Sequence, residues 1–245
     1  MVPHHNSYLC SPPYIGSLMK MKEIIENSPP SILSVLSLYF KLRFKIRDIH
    51  MTRRASISCS QVYECNPDEI DYLIGDGELF SLRDTGKIVS GDWDEEPREI
   101  SDYNIYVSLK QRYENNIDWE DTKKYNICID KIKRGESCWH GCKTKEDLDQ
   151  RCHELDQLYK NIREGGFKRQ NRIKRNTEFD YIYPSYAREV SIAIGSDGEL
   201  ILIDGRHRLS MAKILELDSI PVHIAVVHEH WCDGIPDSIE ISSCK

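Results

Sequence analysis

The run Ile201-Leu-Ile-Asp-Gly-Arg-His-Arg-Leu-Ser-Met-Ala-Lys-Ile-Leu215 constrains the fold more than any other stretch. Leu200 to Ile203 is a short apolar segment with β-branched content. It follows the turn pair Asp197-Gly198, so a buried strand is predicted there. Gly205 lets the backbone turn where a side chain would obstruct it. Leu209, Met211, Ala212 and Leu215 then recur at helical spacing. A strand that reverses through a glycine into a helix leaves the first-turn amides without acceptors and adds the positive end of the helix dipole. Arg206, His207 and Arg208 stand at this corner, which therefore predicts an anion site, phosphate above all. Arginine offers a rigid fork to phosphate oxygens. His207 can donate to phosphate or exchange a proton near neutral pH. Asp204 can hold a nucleotide-bound metal or orient a neighbour. The competing reading is structural: Asp204 caps the helix, and the arginines pair with nearby acids.

Asp204-Gly205-Arg206-His207-Arg208, then a short helix, then Ile220-Pro-Val-His-Ile-Ala-Val226, resembles the core of the ParB/sulfiredoxin superfamily. In that family a strand, Gly-x-His-Arg or Gly-Glu-Arg-Arg, a helix and a strand opening Ile-Pro-Val come in this order. Glu189-Val-Ser-Ile-Ala-Ile194 with Asp197-Gly198 is similar to the hairpin before the motif. The similarity runs from Tyr181 to His230. It is nearest to ParB-like proteins with Asp-Gly-x-His-Arg, a form also carried by the family's free-serine kinases.

The resemblance implies an α/β (α+β) fold with a ParB/sulfiredoxin-like core. It implies a nucleotide or other phosphorylated ligand held by Gly205, Arg206, His207, Arg208 and Arg188, with His207 and Asp204 as candidate catalytic residues. Mg²⁺ with a nucleoside triphosphate is the implied cofactor. Nucleotide hydrolysis, phosphoryl transfer and nuclease activity all fall within what the family does, and the residues leave that choice, and turnover itself, open. A non-catalytic, DNA-associated or regulatory nucleotide-binding module is the rival reading.

Departures from the family narrow this range. Sulfiredoxins carry a reactive Cys where this chain has Arg206, so sulfinic-acid repair is not expected. Partitioning ParB proteins carry Gly-Glu-Arg-Arg and a helix-turn-helix domain downstream. Here Arg206 and His207 replace the Glu and the first Arg, and little chain follows Trp231, so chromosome partitioning is not expected. The kinases use further acids before the motif, for which Glu189 and Glu199 are candidates by position. Arg188-Glu189 reads either as a second anion contact with an acid or as a surface ion pair.

A net charge of -7 over 245 residues argues against a general nucleic-acid binder. Nucleic-acid contact stays open through two basic stretches, 41–54 and 168–175. Nine cysteines and no basic segment leading into an apolar core at the start predict reduced thiols in a cytoplasmic protein. The apolar run Ile32 to Phe40 is broken by Ser34 and Ser37, so no transmembrane segment is expected. The oligomeric state is not legible.

The organisation predicted is a partly helical extension over 1–54, a domain over 55–232 and a tail over 233–245. A largely helical insertion is placed within the domain at about 72–180. In the extension, Leu18 to Glu26 reads as a short helix. Ser31 to about Ile46 reads as a second, with Ile32, Val35, Leu36, Tyr39 and Phe40 on its apolar side and Lys41, Arg43, Lys45 and Arg47 following. Such a basic amphipathic segment packs on its own domain or meets a membrane surface, a partner or a nucleic-acid backbone. Ile57 to Tyr63 reads as a strand, and Asn66-Pro67 opens a helix. Lys87 to Asp94 reads as a strand and Asp102 to Glu114 as a helix, while Tyr125 to Ile132 fits either. Thr144 to Gly165 is the clearest helix, opened by Thr144 and Asp147 as a capping box.

Cys138-Trp-His-Gly-Cys142 with Cys152-His153 gathers three thiols and two imidazoles in a short span. A zinc-stabilised interaction protein is therefore a third reading. Against it, Cys152 falls on the apolar face of the helix, where a thiol behaves as a small hydrophobe. His228-Glu229-His230 is a weaker metal candidate.

Overall fold

The computed structural model describes residues 29–74, 79–173, 182–231 and 233–241. The predicted helix at Leu18–Glu26 lies outside them. In chain order the main elements are α1 (Pro30–Ala55), β1 (Tyr63–Cys65), β2 (Tyr72–Leu73), β3 (Lys87–Val89) and β4 (Arg98–Glu99). Three helices follow: α2 (Asn104–Tyr113), α3 (Lys123–Lys133) and α4 (Lys145–Gly165). The motif region supplies β5 (Val190–Ile194), β6 (Leu200–Asp204), α5 (Arg206–Ile214) and β7 (Ile220–His228), and β8 (Ile239–Ile241) comes last.

The strands form one mixed sheet in the order β4-β2-β6-β5-β7-β1-β8, with β3 added beside β7. β5 and β6 are an antiparallel hairpin, and β5 runs parallel to β7. The two halves of β7 have different neighbours on one side. Ile220 to Val222 face β1 antiparallel, and Val226 to His228 face β3 in parallel. β7 is buried along its whole length, as an interior strand with covered faces must be.

Strand alternation sorts the core. Leu200 and Leu202 join Ile192, Val222 and Ile224 against Leu109, Leu148, Leu155 and Leu209 of α2, α4 and α5. Ile201 and Ile203 point the other way and meet Ala193, Ala225, Val226, Ile74 and Phe80. A third cluster joins Phe40 and Phe44 of α1 to Ile182, Tyr183 and Ala187. Among the described residues no helix is long and apolar enough to cross a membrane.

The hairpin, the glycine corner, α5 and β7 form where the sequence predicts them. So does α4, whose Thr144 and Asp147 make both bonds of the capping box. Tyr125 to Ile132, ambiguous by pattern, is helical within α3. Other segments differ. The segment 72–180, expected as a helical insertion, first contributes β2, β3 and β4 to the sheet and only then turns helical. The expected tail supplies β8, paired with β1. The strand expected at Ile57–Tyr63 begins only at Tyr63. Ser58 and Ser60 instead donate to the Asp48 carboxylate, and these bonds fold the backbone into a turn. Asn66 caps as predicted, but its helix is one 3₁₀ turn before β2 begins.

α1 is longer than expected, and it packs by a different face. Phe40, Phe44, Met51 and Ala55 are buried, whereas Ile32, Val35 and Tyr39 are exposed. Both sectors of this helix are apolar, so periodicity alone does not say which one faces the body. The phenylalanines decide it: Phe40 lies 4.8 Å, centre to centre, from the Tyr183 ring. Arg47 clamps the helix further. Its Nη1 donates to the carbonyls of Arg83 at 2.6 Å and Thr85 at 3.1 Å. The same loop passes so close that a Cβ on Gly86 would stand 2.6 Å from Arg47 Cβ and 2.9 Å from Cys59 Sγ, at a left-handed φ of 80°. Gly86→Ala is therefore expected to destabilise the protein by about 1–3 kcal/mol, through backbone strain and overpacking together. Urea denaturation of the two proteins measures it.

Candidate functional site

The chain reverses from β6 into α5 at Gly205, where φ is 94°. A Cβ there would meet Val190 Cα at 3.0 Å, so the corner closes only with glycine. Asp204 is exposed, and its Oδ1 accepts the Gly205 N–H at 2.7 Å. The first-turn amides of α5 that follow have no acceptor within the helix.

The three motif side chains diverge. Arg206 reaches outward along Tyr103: Nη1 donates to the phenol oxygen at 3.1 Å, and the guanidinium lies 5.3 Å from the ring centre. His207 turns under Trp139. The indole N–H donates to His207 Nε2 at 3.0 Å, and the rings stack 5.9 Å apart. That bond requires Nε2 to be an acceptor, which fixes a neutral imidazole with its proton on Nδ1. Burial first, then the positive charges of Arg151, Arg206 and Lys124, hold His207 well below the usual imidazole range. His140 sits beside it, ring centres 5.5 Å apart; it is exposed on its outer side, and the partial desolvation of its inner side with the Arg151 charge lowers its pKa.

Arg208 turns inward. Its Nη2 donates to the Arg188 carbonyl at 2.7 Å, and its Nη1 lies 3.7 Å from Glu189 Oε2. Glu189, at the entry to β5, is 2% exposed. Its Oε1 accepts the Gln170 amide at 2.6 Å, while Oε2 and Arg208 Nη1 are buried without a hydrogen bond. Burial raises the Glu189 carboxyl to about 7. The Gln170 amide and the charges of Arg208, Arg169 and Arg188 oppose that rise and do not cancel it. Arg169 has its own carboxylate, Glu64, at 2.8 Å. Arg208 lies within the influence of two acids, Glu189 and the more distant Asp204.

The structure brings Arg188, Arg208 and Glu189 together and sets Asp204 and Arg206 on the outer side of the same corner. It does not gather Arg206, His207 and Arg208 into one cup. A hollow of about 520 Å³ lies beside the basic loop, lined by Glu64, Phe167, Lys168, Arg169, Arg172 and Ser219 among others. Arg169, which lines it, precedes Gln170, the residue whose amide donates to Glu189.

Of the proposed zinc ligands, Cys138 and Cys142 pair across an isolated antiparallel bridge and are buried, as is Cys152, while His153 is exposed on α4. Among the described residues no three metal-binding side chains converge. Trp139 and His140, read from sequence as parts of a metal loop, instead cover His207. His228 is also committed elsewhere, with Nε2 donating to the Gly91 carbonyl at 2.9 Å. Sequence reasoning missed Tyr103 and Trp139 as partners of the motif, and neither carries a local signal for that role. Sequence position alone suggests Glu189; its burial comes from the fold.

No family model matches this chain, and no curated protein or solved structure is significantly similar to it.

Glu189 gives the site a pH signature. A carboxyl raised in the folded state from 4.5 to about 7 holds its proton more tightly folded than unfolded. Its contribution to stability is therefore greatest below pH 4.5 and is lost as pH rises through 7. His223, buried and lowered to about 4, has the opposite slope over much of the same window. The difference between proteins isolates Glu189. Between pH 4.5 and pH 7, wild type is expected to lose up to about 3 kcal/mol relative to Glu189→Gln. Denaturant titrations across that range measure it, and parallel pH profiles would mean that the acid is not perturbed.

Proposed function

We propose that the protein binds a nucleotide or another phosphorylated ligand at the Gly205 corner, with Arg188, Arg206 and Arg208 as cationic contacts. One observation carries this reading. A buried carboxyl and a largely buried guanidinium face each other at 3.7 Å, with Glu189 Oε2 and Arg208 Nη1 both buried and unbonded. A buried group in this state costs stability until something completes it. An anion carrying several oxygens, arriving beside first-turn helix amides, would supply the missing acceptor for Arg208. The resemblance to the ParB/sulfiredoxin superfamily at Asp204–Arg208 points to the same ligand class.

On this reading the acid–base role moves from His207 to Glu189. Trp139 occupies the acceptor nitrogen of His207, and its neighbouring cations disfavour a charged ring. Glu189, at about 7, can hold or release a proton near neutral pH. Asp204, exposed at the corner, is a carboxylate that fits Mg²⁺ already bound to phosphates, since this ion commonly takes one or two protein acids and keeps several waters. When bound, the metal would neutralise phosphate charge; Asp204 would hold it and Arg206 would orient the ligand.

A thermal-shift series of nucleoside triphosphates with Mg²⁺ tests the reading, on wild type and Arg206→Ala. Arg206 is half-exposed and bonds Tyr103, so its loss is not expected to unfold the chain. A ligand at one hundred times its Kd stabilises by about 2.7 kcal/mol and raises the wild-type melting temperature. The variant is expected to lose most of that shift. Absence of any shift, or equal shifts in the two proteins, overturns the proposal. Phosphate release in the same samples separates turnover from binding alone.

A further inference from the structure

α1 presents a second apolar face that the body does not use. Ile32, Val35, Leu38, Tyr39, Leu42, Ile46 and Ile49 are all exposed, Val35 by 68% and Ile46 by 69%. At about 100° per residue they share one sector of roughly 120°. The opposite side of the helix is anchored by Phe40, Phe44, Met51 and Ala55. Seven large apolar side chains in one exposed row exceed the scattered exposure normal for a soluble surface.

The borders of this face are cationic. Arg43 lies along one edge, its guanidinium 6.0 Å from the Tyr39 ring, with His50 about two turns further on. Lys41 and Lys45 flank the other edge, and Arg53 and Arg54 close the last turn. Asp48 is the sole acid from Pro30 to Ala55, and it is turned to the body by Ser58 and Ser60. The helix is thus strongly basic in a chain whose net charge is -7.

We propose that this face docks α1, parallel to the surface, on an anionic phospholipid membrane. Apolar side chains enter the headgroup boundary, while the lysines and arginines at the edges reach the phosphates. The charge asymmetry orients the molecule, because an anionic surface attracts α1 and repels the acidic remainder. Two other occupants fit less well. A second copy would place cationic edges against cationic edges. A single partner helix needs a narrower seam than a sector that takes in both Ile32 and Leu38. This inference does not rest on the phosphate site.

The test is cosedimentation of the full chain with vesicles of phosphatidylcholine alone and of phosphatidylcholine mixed with phosphatidylglycerol. Binding to the mixed vesicles, falling with added salt, is expected, with none to the neutral ones. Leu42→Glu with Ile46→Glu is expected to weaken binding about tenfold or more. Both side chains are more than half exposed, so the fold should persist, which melting by circular dichroism verifies. A second pair, Arg43→Glu with Lys45→Glu, is expected to weaken binding and flatten its salt dependence. Failure to bind anionic vesicles overturns the proposal, as does binding that both pairs leave unchanged. Two further outcomes also overturn it: a dimer in light scattering that the Leu42/Ile46 pair dissolves, or capture of an acidic amphipathic peptide in preference to vesicles.

Discussion

The 3.0 Å approach between the place a Gly205 Cβ would occupy and Val190 Cα decides how the centre of this molecule is built. β6 can turn into α5 directly over the start of β5 only because nothing projects from residue 205. Arg208, one turn into the helix, is then carried back over Arg188 and Glu189, which lead into β5. Had the chain needed an extra residue to turn, α5 would rotate by about 100° and Arg208 would leave that position. The same rotation would take His207 from beneath Trp139. A steric requirement at one backbone atom thus sets the partners of two side chains.

Local signals made much of this legible in the sequence. The glycine turn, the apolar spacing of α5, the capping box of α4 and the hairpin turn at Asp197-Gly198 each act within a few residues. β2 and β4 have two residues each, and a period cannot be read from two. They are strands because β6 and its neighbours offer edges to them, which is a property of the assembled sheet. The short β1 has a similar origin: serines bonded to Asp48 hold the preceding residues in a turn that alternation alone predicts as strand. The site divides the same way. Arg188, Glu189 and Arg208 are near in sequence, but Trp139 reaches His207 across 68 residues. Its flanking cysteines drew attention to metal chemistry, and no pattern in the sequence announces a lid over an imidazole.

α1 shows why a two-faced apolar helix defeats periodicity. Its buried and exposed sectors nearly balance around the axis, so the segment reads as only weakly sided although each face is distinct. What separates them is residue type. Aromatic rings fill the deep contact with Tyr183, and Arg47 and Gly86 fix the helix at close range. The outer row is mostly aliphatic and has cationic edges. Close packing selects shape and a lipid boundary selects hydrophobic area and charge, so the two faces differ in the way those two surroundings require.

Glu189 presents the sharper energetic question. Three guanidinium groups favour its ionised form, yet burial outweighs them, and one carboxyl oxygen still lacks a hydrogen bond. A sequence selected for stability alone has simple remedies: an apolar residue with a shorter neighbour at 208, or a donor placed at Oε2. Replacement of buried ion pairs by apolar groups is often neutral or stabilising. Keeping an acid poised near neutrality beside an incompletely bonded arginine therefore argues for a demand other than folding. Such demands concentrate at binding and catalytic sites. An oxyanion arriving from solvent answers both halves of it, because it bonds the arginine and favours the protonated acid that can donate to it. Ligand charge and Glu189 protonation would then be linked: binding raises the pKa of the acid further, and the complex takes up a proton as it forms.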